Sequence, residues 1–189
     1  MSDDFRGFLT RIRDALDHAG VPYMLAGSMA GTAYGRIRTT DDIDIVIDPN
    51  AISLERLLSE FPDDSYYVNA AAAREAMRTG GMFNVIPLDG FLKIDFIIRR
   101  KTPHGEAEFN RRRTVQIAGI DFDVATPEDT IIAKLAWAAA GGSARQLEDV
   151  RGIVTSQGAL LESAYLASWV ATLGLEALWL QATKDLPRE

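Results

Sequence analysis

The stretch Asp42-Ile43-Asp44-Ile45-Val46-Ile47 constrains this chain more than any other. Side chains alternate faces along a strand, so Ile43, Ile45 and Ile47 share a face that must be buried, and Asp42 and Asp44 share the other. Two carboxylates side by side on a rigid strand repel unless a positive charge sits between them. A divalent cation meets that need, and aspartate oxygens suit Mg²⁺, which takes its remaining ligands from water and substrate phosphates. Taken alone, the same pattern also describes an ordinary half-exposed strand with its acids outward.

Residues 92–98 form a second strand, with Lys93 and Asp95 on one face and Leu92, Ile94, Phe96 and Ile98 on the other. If the two strands are neighbours, Asp95 joins Asp42 and Asp44, and three converging carboxylates call for a cation. If they are not, Asp95 is a surface charge on an edge strand. Gly27-Ser28 follows a short apolar strand at 22–26 and opens a small-residue helix that closes near Gly35. Free N–H groups at a helix start and a serine hydroxyl suit a phosphate oxygen, although Ser28 also reads as a plain N-cap.

The rest of the pattern is α+β. An amphipathic helix spans 4–19, with Phe5, Phe8, Leu9, Ile12 and Leu16 on one stripe and Gly20 as its stop. A polar turn covers 36–41, helices cover 51–60 and 70–79, and a strand covers 83–86. Residues 99–113 are polar and basic, and a hairpin joins 114–118 to 121–125 across Gly119-Ile120. Thr126-Pro127-Glu128-Asp129 is a helix start, and everything after it reads as helical with breaks at Gly141-Gly142, Gly158 and Gly174. The expected organisation is an α/β core over 1–125 and a helical portion over 126–189 packed on it.

Composition narrows the chemistry. The 189 residues include no cysteine, which excludes disulfides, thiolate metal sites and a cysteine nucleophile. His18 and His104 have no ligand spacing, so any metal should be a hard cation on carboxylates. A net charge of −7 does not suit a protein that blankets nucleic acid. The start, MSDDFRGF, has no apolar core of a signal peptide, and no apolar run reaches the length of a membrane span. The expected compartment is therefore the cytoplasm.

Gly-Ser, thirteen residues, Asp-h-Asp-h and a later h-Asp-h strand, with the lead-in Arg36-Ile37-Arg38-Thr39-Thr40-Asp41, resemble the DNA polymerase beta-like nucleotidyltransferase superfamily. The run is most similar to the minimal and abortive-infection (AbiEii-type) toxin nucleotidyltransferases. The resemblance covers residues 22–98, and more loosely Thr126-Pro127-Glu128-Asp129, Lys134-Leu135 and Leu147-Glu148-Asp149. It implies a mixed β-sheet flanked by helices and an enzyme that moves a nucleotidyl group from an NTP such as ATP to a hydroxyl, releasing pyrophosphate. Asp42, Asp44 and Asp95 are then the catalytic and metal-binding residues, with two Mg²⁺ ions for which Mn²⁺ substitutes. Gly27, Ser28, Arg38, Thr40 and Lys134 bind substrate. A toxin acting on RNA such as tRNA, or on protein, with a cognate antitoxin, stands ahead of an antibiotic-type small-molecule enzyme. An inert nucleotide-binding or partner-binding module is the competing class, and the three acids argue against it.

Other features have plainer readings. Lys134 either reaches inward from an apolar stripe or is a solvated helix lysine. Asp149 reads as a structural partner of Arg145 one turn earlier. Arg99-Arg100-Lys101 and Arg111-Arg112-Arg113 either guide a nucleic-acid acceptor or form a solvated face, with the solvated face ahead. Trp137, Trp169 and Trp179 fall at core-like helical positions.

Overall fold

A computed structural model of the chain describes residues 3–35, 42–90, 92–141 and 143–186. The first half alternates helices and strands: α1 (Asp3–Ala19), β1 (Tyr23–Leu25), α2 (Gly27–Ala33), β2 (Asp42–Ile47), α3 (Ala51–Ser59), β3 (Tyr66–Val68), α4 (Ala70–Thr79), β4 (Met82–Pro87) and β5 (Lys93–Ile98). Then follow α5 (Pro103–Arg111), the hairpin β6 (Arg113–Ile117) and β7 (Ile120–Val124), and the helices α6 (Pro127–Gly141), α7 (Ala144–Gln157), α8 (Ser163–Thr172) and α9 (Glu176–Thr183). The strands make one mixed sheet of seven in the order β3-β4-β5-β2-β1-β7-β6. The fold is therefore α+β, as the sequence pattern indicates. Among the described residues no helix is long and apolar enough to cross a membrane.

The alternation at 42–47 decides the layering. Ile43, Ile45 and Ile47 are buried with Ile94 and Phe96 of β5, against Leu9 and Leu16 of α1, Leu54 and Leu57 of α3 and Ala73 of α4. The acids of β2 necessarily point to the other face. A separate apolar cluster joins Ile131, Ile132 and Leu135 of α6 to Val150, Ile153, Leu166 and Val170. Tyr34, at the end of α2, packs against both clusters. Its hydroxyl donates to the Ala125 carbonyl at 2.7 Å, and Gln157 Nε2 donates to its own carbonyl at 3.3 Å.

Four features differ from the sequence-based expectation. The three-residue β3 is too short to show a period, and it exists because buried Tyr66 packs edge-on to Phe61 at 5.2 Å. Helix α5 lies inside the polar, basic stretch. Thr102 caps it by accepting from Gly105 N–H, Pro103 starts it and Phe109 buries its inner face. The hairpin turn falls at Ala118-Gly119, both at positive φ (55° and 74°), one residue earlier than expected. Trp137 is 57% exposed, so it is not a core residue, whereas Trp169 packs on His104 and Tyr165.

The basic run divides: Arg100 and Lys101 are exposed to solvent, whereas Arg99, Arg111, Arg112 and Arg113 are engaged in ion pairs. Arg111 donates to Glu162 at 3.0 and 3.1 Å and to Asp129 at 3.4 Å, and its guanidinium lies 3.8 Å over the Tyr165 ring. Arg113 also pairs with Glu162, Arg112 with Asp123 and Arg99 with Asp48. Asp129, fully buried, accepts from the hydroxyls of Thr126 and Tyr165, both at 2.6 Å. The Arg111 and Arg113 pairs tie α5 and β6 to α6 and the start of α8, so these two arginines serve cohesion of the two halves.

Glu108, one turn beyond His104 on α5, faces this network. Burial, and then the charge of Asp129, push its carboxyl up from 4.5 to about 8, with Arg100 opposing. The folded chain then holds this proton where the unfolded chain releases it, so Glu108 removes stability as pH rises from about 4.5 to about 8. Glu108→Gln is expected to flatten that decline and to raise the melting temperature at pH 8 more than at pH 5. Thermal melts of both proteins at the two pH values measure it.

Candidate active site

Strands β2 and β5 are neighbours and parallel, and their register sets Asp44 opposite Asp95 and Asp42 opposite Lys93. On the far side β4 pairs antiparallel with β5, placing Asn84 opposite Asp95. Residues directly opposite share a face, so Asn84, Asp95 and Asp44 form one row across three strands. β5 lies inside the sheet and Asp95 is 5% exposed, so it is not a surface charge on an edge strand. Asn84 Nδ2 donates to Asp95 Oδ1, and Lys93 Nζ lies 2.9 Å from Asp95 Oδ2.

Gly27 closes the row on its other side. It sits at φ +55°, and a Cβ added there would lie 1.8 Å from Asp44 Oδ2. Only glycine tolerates both the conformation and the approach. The Ala26 N–H donates to the Asp44 carbonyl at 2.9 Å, tying the α2 start to β2. Ala26 is the N-cap of α2 and makes no side-chain cap, so Ser28, inside the helix, is not the cap that its spacing suggested. Arg38 and Thr40 lie outside the described residues.

Electrostatics couple the two halves here. Burial raises the Asp44 carboxyl above its ordinary range, the charges of Asp42 and Asp95 raise it further, and Lys134 and Lys93 oppose them. Lys134 is 5% exposed, which settles the two readings of this lysine against a solvated one. Its Nζ donates to Asp149 Oδ2 at 2.7 Å and to Gln146 Oε1 at 3.3 Å. Asp149 is thus structural through α6, where the spacing within its own helix pointed to Arg145. Asn84 and Gln146 escaped the sequence reading, because an amide in a strand or helix carries no signal until the tertiary register places it beside a charge.

The donor set suits a hard divalent cation in kind. Asp42 and Asp44 offer oxygens on one face of β2, and Asp44 faces the carboxylate of Asp95 across the strand pair. Among the described residues no group of three or more His, Cys, Asp or Glu side chains stands ready to hold a metal ion. Asp95 in particular already has a partner on each oxygen.

Two outcomes follow from this packing. Gly27→Ala should displace Asp44 and destabilise by more than about 1 kcal/mol, whereas Gly20→Ala, with φ +66° and open space around its Cβ, meets backbone strain alone. Lys134→Met should cost about 3–5 kcal/mol by breaking a buried ion pair at Asp149, and adding Asp149→Leu should recover part of that loss. Urea titrations of the four variants give the ordering.

No protein-family model matches the sequence, and no characterised protein matches it at significant similarity. Solved structures do. The antibiotic-resistance factor ANT(2'')-Ia, in a solution structure, superposes with a TM-score of 0.61 at 19% identity, over 96% of this chain and 97% of that one. It has also been solved in complex with adenylyl-2''-tobramycin. An antigenic nucleotidyltransferase-like protein from Paracoccidioides brasiliensis gives 0.57 at 19% identity, over 97% of this chain and 94% of that one. The lincosamide antibiotic adenylyltransferase LnuA, lincomycin-bound, gives 0.51 at 14% identity, over 77% of this chain and 93% of that one. At these identities the likeness is one of architecture, and the chain has the nucleotidyltransferase fold.

Proposed function

We propose that the chain is a nucleotidyltransferase that moves the nucleotidyl group of an NTP to a hydroxyl of a small organic acceptor. The observation that carries this reading is Asp44 opposite Asp95 on adjacent parallel strands, with Gly27 at the start of α2 packed against Asp44, seated in that fold. In the reaction the acceptor oxygen bonds to the α-phosphorus as the bond to pyrophosphate breaks, and the hydroxyl proton passes to a base. Asp95 is that base. It is screened from bulk water, and its carboxylate is held in place from both sides by Asn84 and Lys93. Asp42 and Asp44 would hold Mg²⁺ or Mn²⁺. When bound, such a cation neutralises the triphosphate and favours departure of pyrophosphate. Lys134 adds a fixed positive charge beside Asp44. Gly27 and Ser28, with Arg38 and Thr40 of the segment before Asp42, are assigned to the triphosphate by their likeness to the superfamily pattern.

Two observations favour a small acceptor of antibiotic type over RNA or protein. Arg99, Arg111, Arg112 and Arg113 are engaged in internal ion pairs, which removes most of the basic run from any nucleic-acid contact. ANT(2'')-Ia was also solved with an adenylylated tobramycin, and LnuA with lincomycin. The toxin reading with an antitoxin partner has no comparable support in the geometry.

Incubation with each α-labelled NTP, Mg²⁺ and a lysate split into small molecules, RNA and protein tests the reading. Label is expected in the small-molecule fraction, and label in RNA or protein instead would transfer the proposal to the toxin class. Asp95→Asn should slow transfer on the order of a hundredfold or more while NTP still binds. Asp44→Asn should lose both. An Asp95→Asn protein with full transfer activity would remove Asp95 from the mechanism.

A further inference from the structure

Lys93, which holds one oxygen of Asp95, stands in an unusual position for a charge. It is opposite Asp42 in the strand register and two residues before Asp95, on the same face as both. Instead of extending into solvent, its side chain turns back so that Nζ lies 2.9 Å from Asp95 Oδ2. The same ammonium is within electrostatic reach of Asp42 and Asp44. Asn84 occupies the other Asp95 oxygen. Asp95 is thus already paired with a cation that belongs to the chain, and its field reaches Asp42 and Asp44.

We propose that Lys93 is a resident stand-in for the divalent ion, and that a metal enters this site by displacing its ammonium from Asp95. The inference rests on the nucleotidyltransferase reading of Asp42, Asp44 and Asp95. The two lysines near the acids are not equivalent. Lys134 is buried and clamped by Asp149 and Gln146, so its charge is fixed. The Lys93 side chain is 39% exposed on a flexible four-carbon stem, so it is able to swing out into solvent, and the buried Asp95 carboxylate it leaves behind then calls for another cation. Three carboxylates against one such ammonium leave an excess of negative charge that a doubly charged ion satisfies better than a single one. Competition by Lys93 makes the bare site a weak one for metal. A nucleotide that brings its own cation and offers phosphates to the released ammonium overcomes the competition. Lys93 therefore couples metal entry to nucleotide entry.

Mn²⁺ alone, with no nucleotide, is the probe, and its free fraction is read by electron paramagnetic resonance. Lys93→Met and Lys93→Gln should each bind Mn²⁺ on the order of tenfold more tightly than the wild type. In EDTA both variants should melt earlier than the wild type, and Mn²⁺ should restore them. Wild-type or weaker Mn²⁺ affinity in both variants overturns the proposal. Asp44→Asn separates the two readings. If it abolishes Mn²⁺ binding while the Lys93 variants match the wild type, only the role of Lys93 falls. If it leaves Mn²⁺ binding unchanged, or if no variant binds Mn²⁺, the carboxylates are not metal ligands and both readings fall.

Discussion

Everything at this site depends on one repulsion that the fold holds in place. Asp44 and Asp95 face each other across a parallel strand pair, with Asp42 two residues away. Left to themselves these carboxylates would move apart. They are kept together by the other face of the same strands, where Ile43, Ile45, Ile94 and Phe96 are fully buried. Shifting the register by one residue would relieve the acids only by turning those side chains out of the core. Hydrophobic burial on one side of the sheet thus preserves electrostatic strain on the other, and a site able to attract a cation is the result.

The lysines temper that strain in two ways. Lys134 comes from the helical half and is locked to Asp149, so its field at Asp44 persists as long as α6 and α7 stay docked. Lys93 comes from the same sheet and touches Asp95 directly. One is a permanent part of the local charge and the other is exchangeable. The Arg111 network does analogous work further from the acids. It joins Asp129 and Glu128 of α6 to Glu162 and so holds the helix that carries Lys134 in position against the sheet. Cohesion of the two halves and the charge balance of the site are therefore linked through a single helix.

The chain itself determined a good deal of this. The period of two at 42–47 set the buried and acidic faces of β2, and the same period at 92–98 did so for β5. The positive-φ glycines at 20, 27, 80 and 174 mark ends and starts of helices where the sequence reading placed them. These features are local, carried by backbone preference and side-chain alternation, and need no knowledge of what lies across the sheet. A helix inside a basic run, a three-residue strand and an alanine at positive φ were hidden, because in each the local preference is weak and tertiary contacts decide.

Only the tertiary structure decided which charges meet. Sequence spacing paired Asp149 with Arg145 because it sees only one helix, and the fold paired it with Lys134 across two. It made the arginines at 111–113 into internal ties because their acidic partners, Asp123, Glu128, Asp129 and Glu162, lie 10 or more positions away along the chain. It set Asn84 on one oxygen of Asp95, through a register between strands that no single strand encodes. Alternation along a strand tells which face a carboxylate occupies. Its neighbours on that face follow from how separate segments align, and that alignment is fixed by the packing of the whole core.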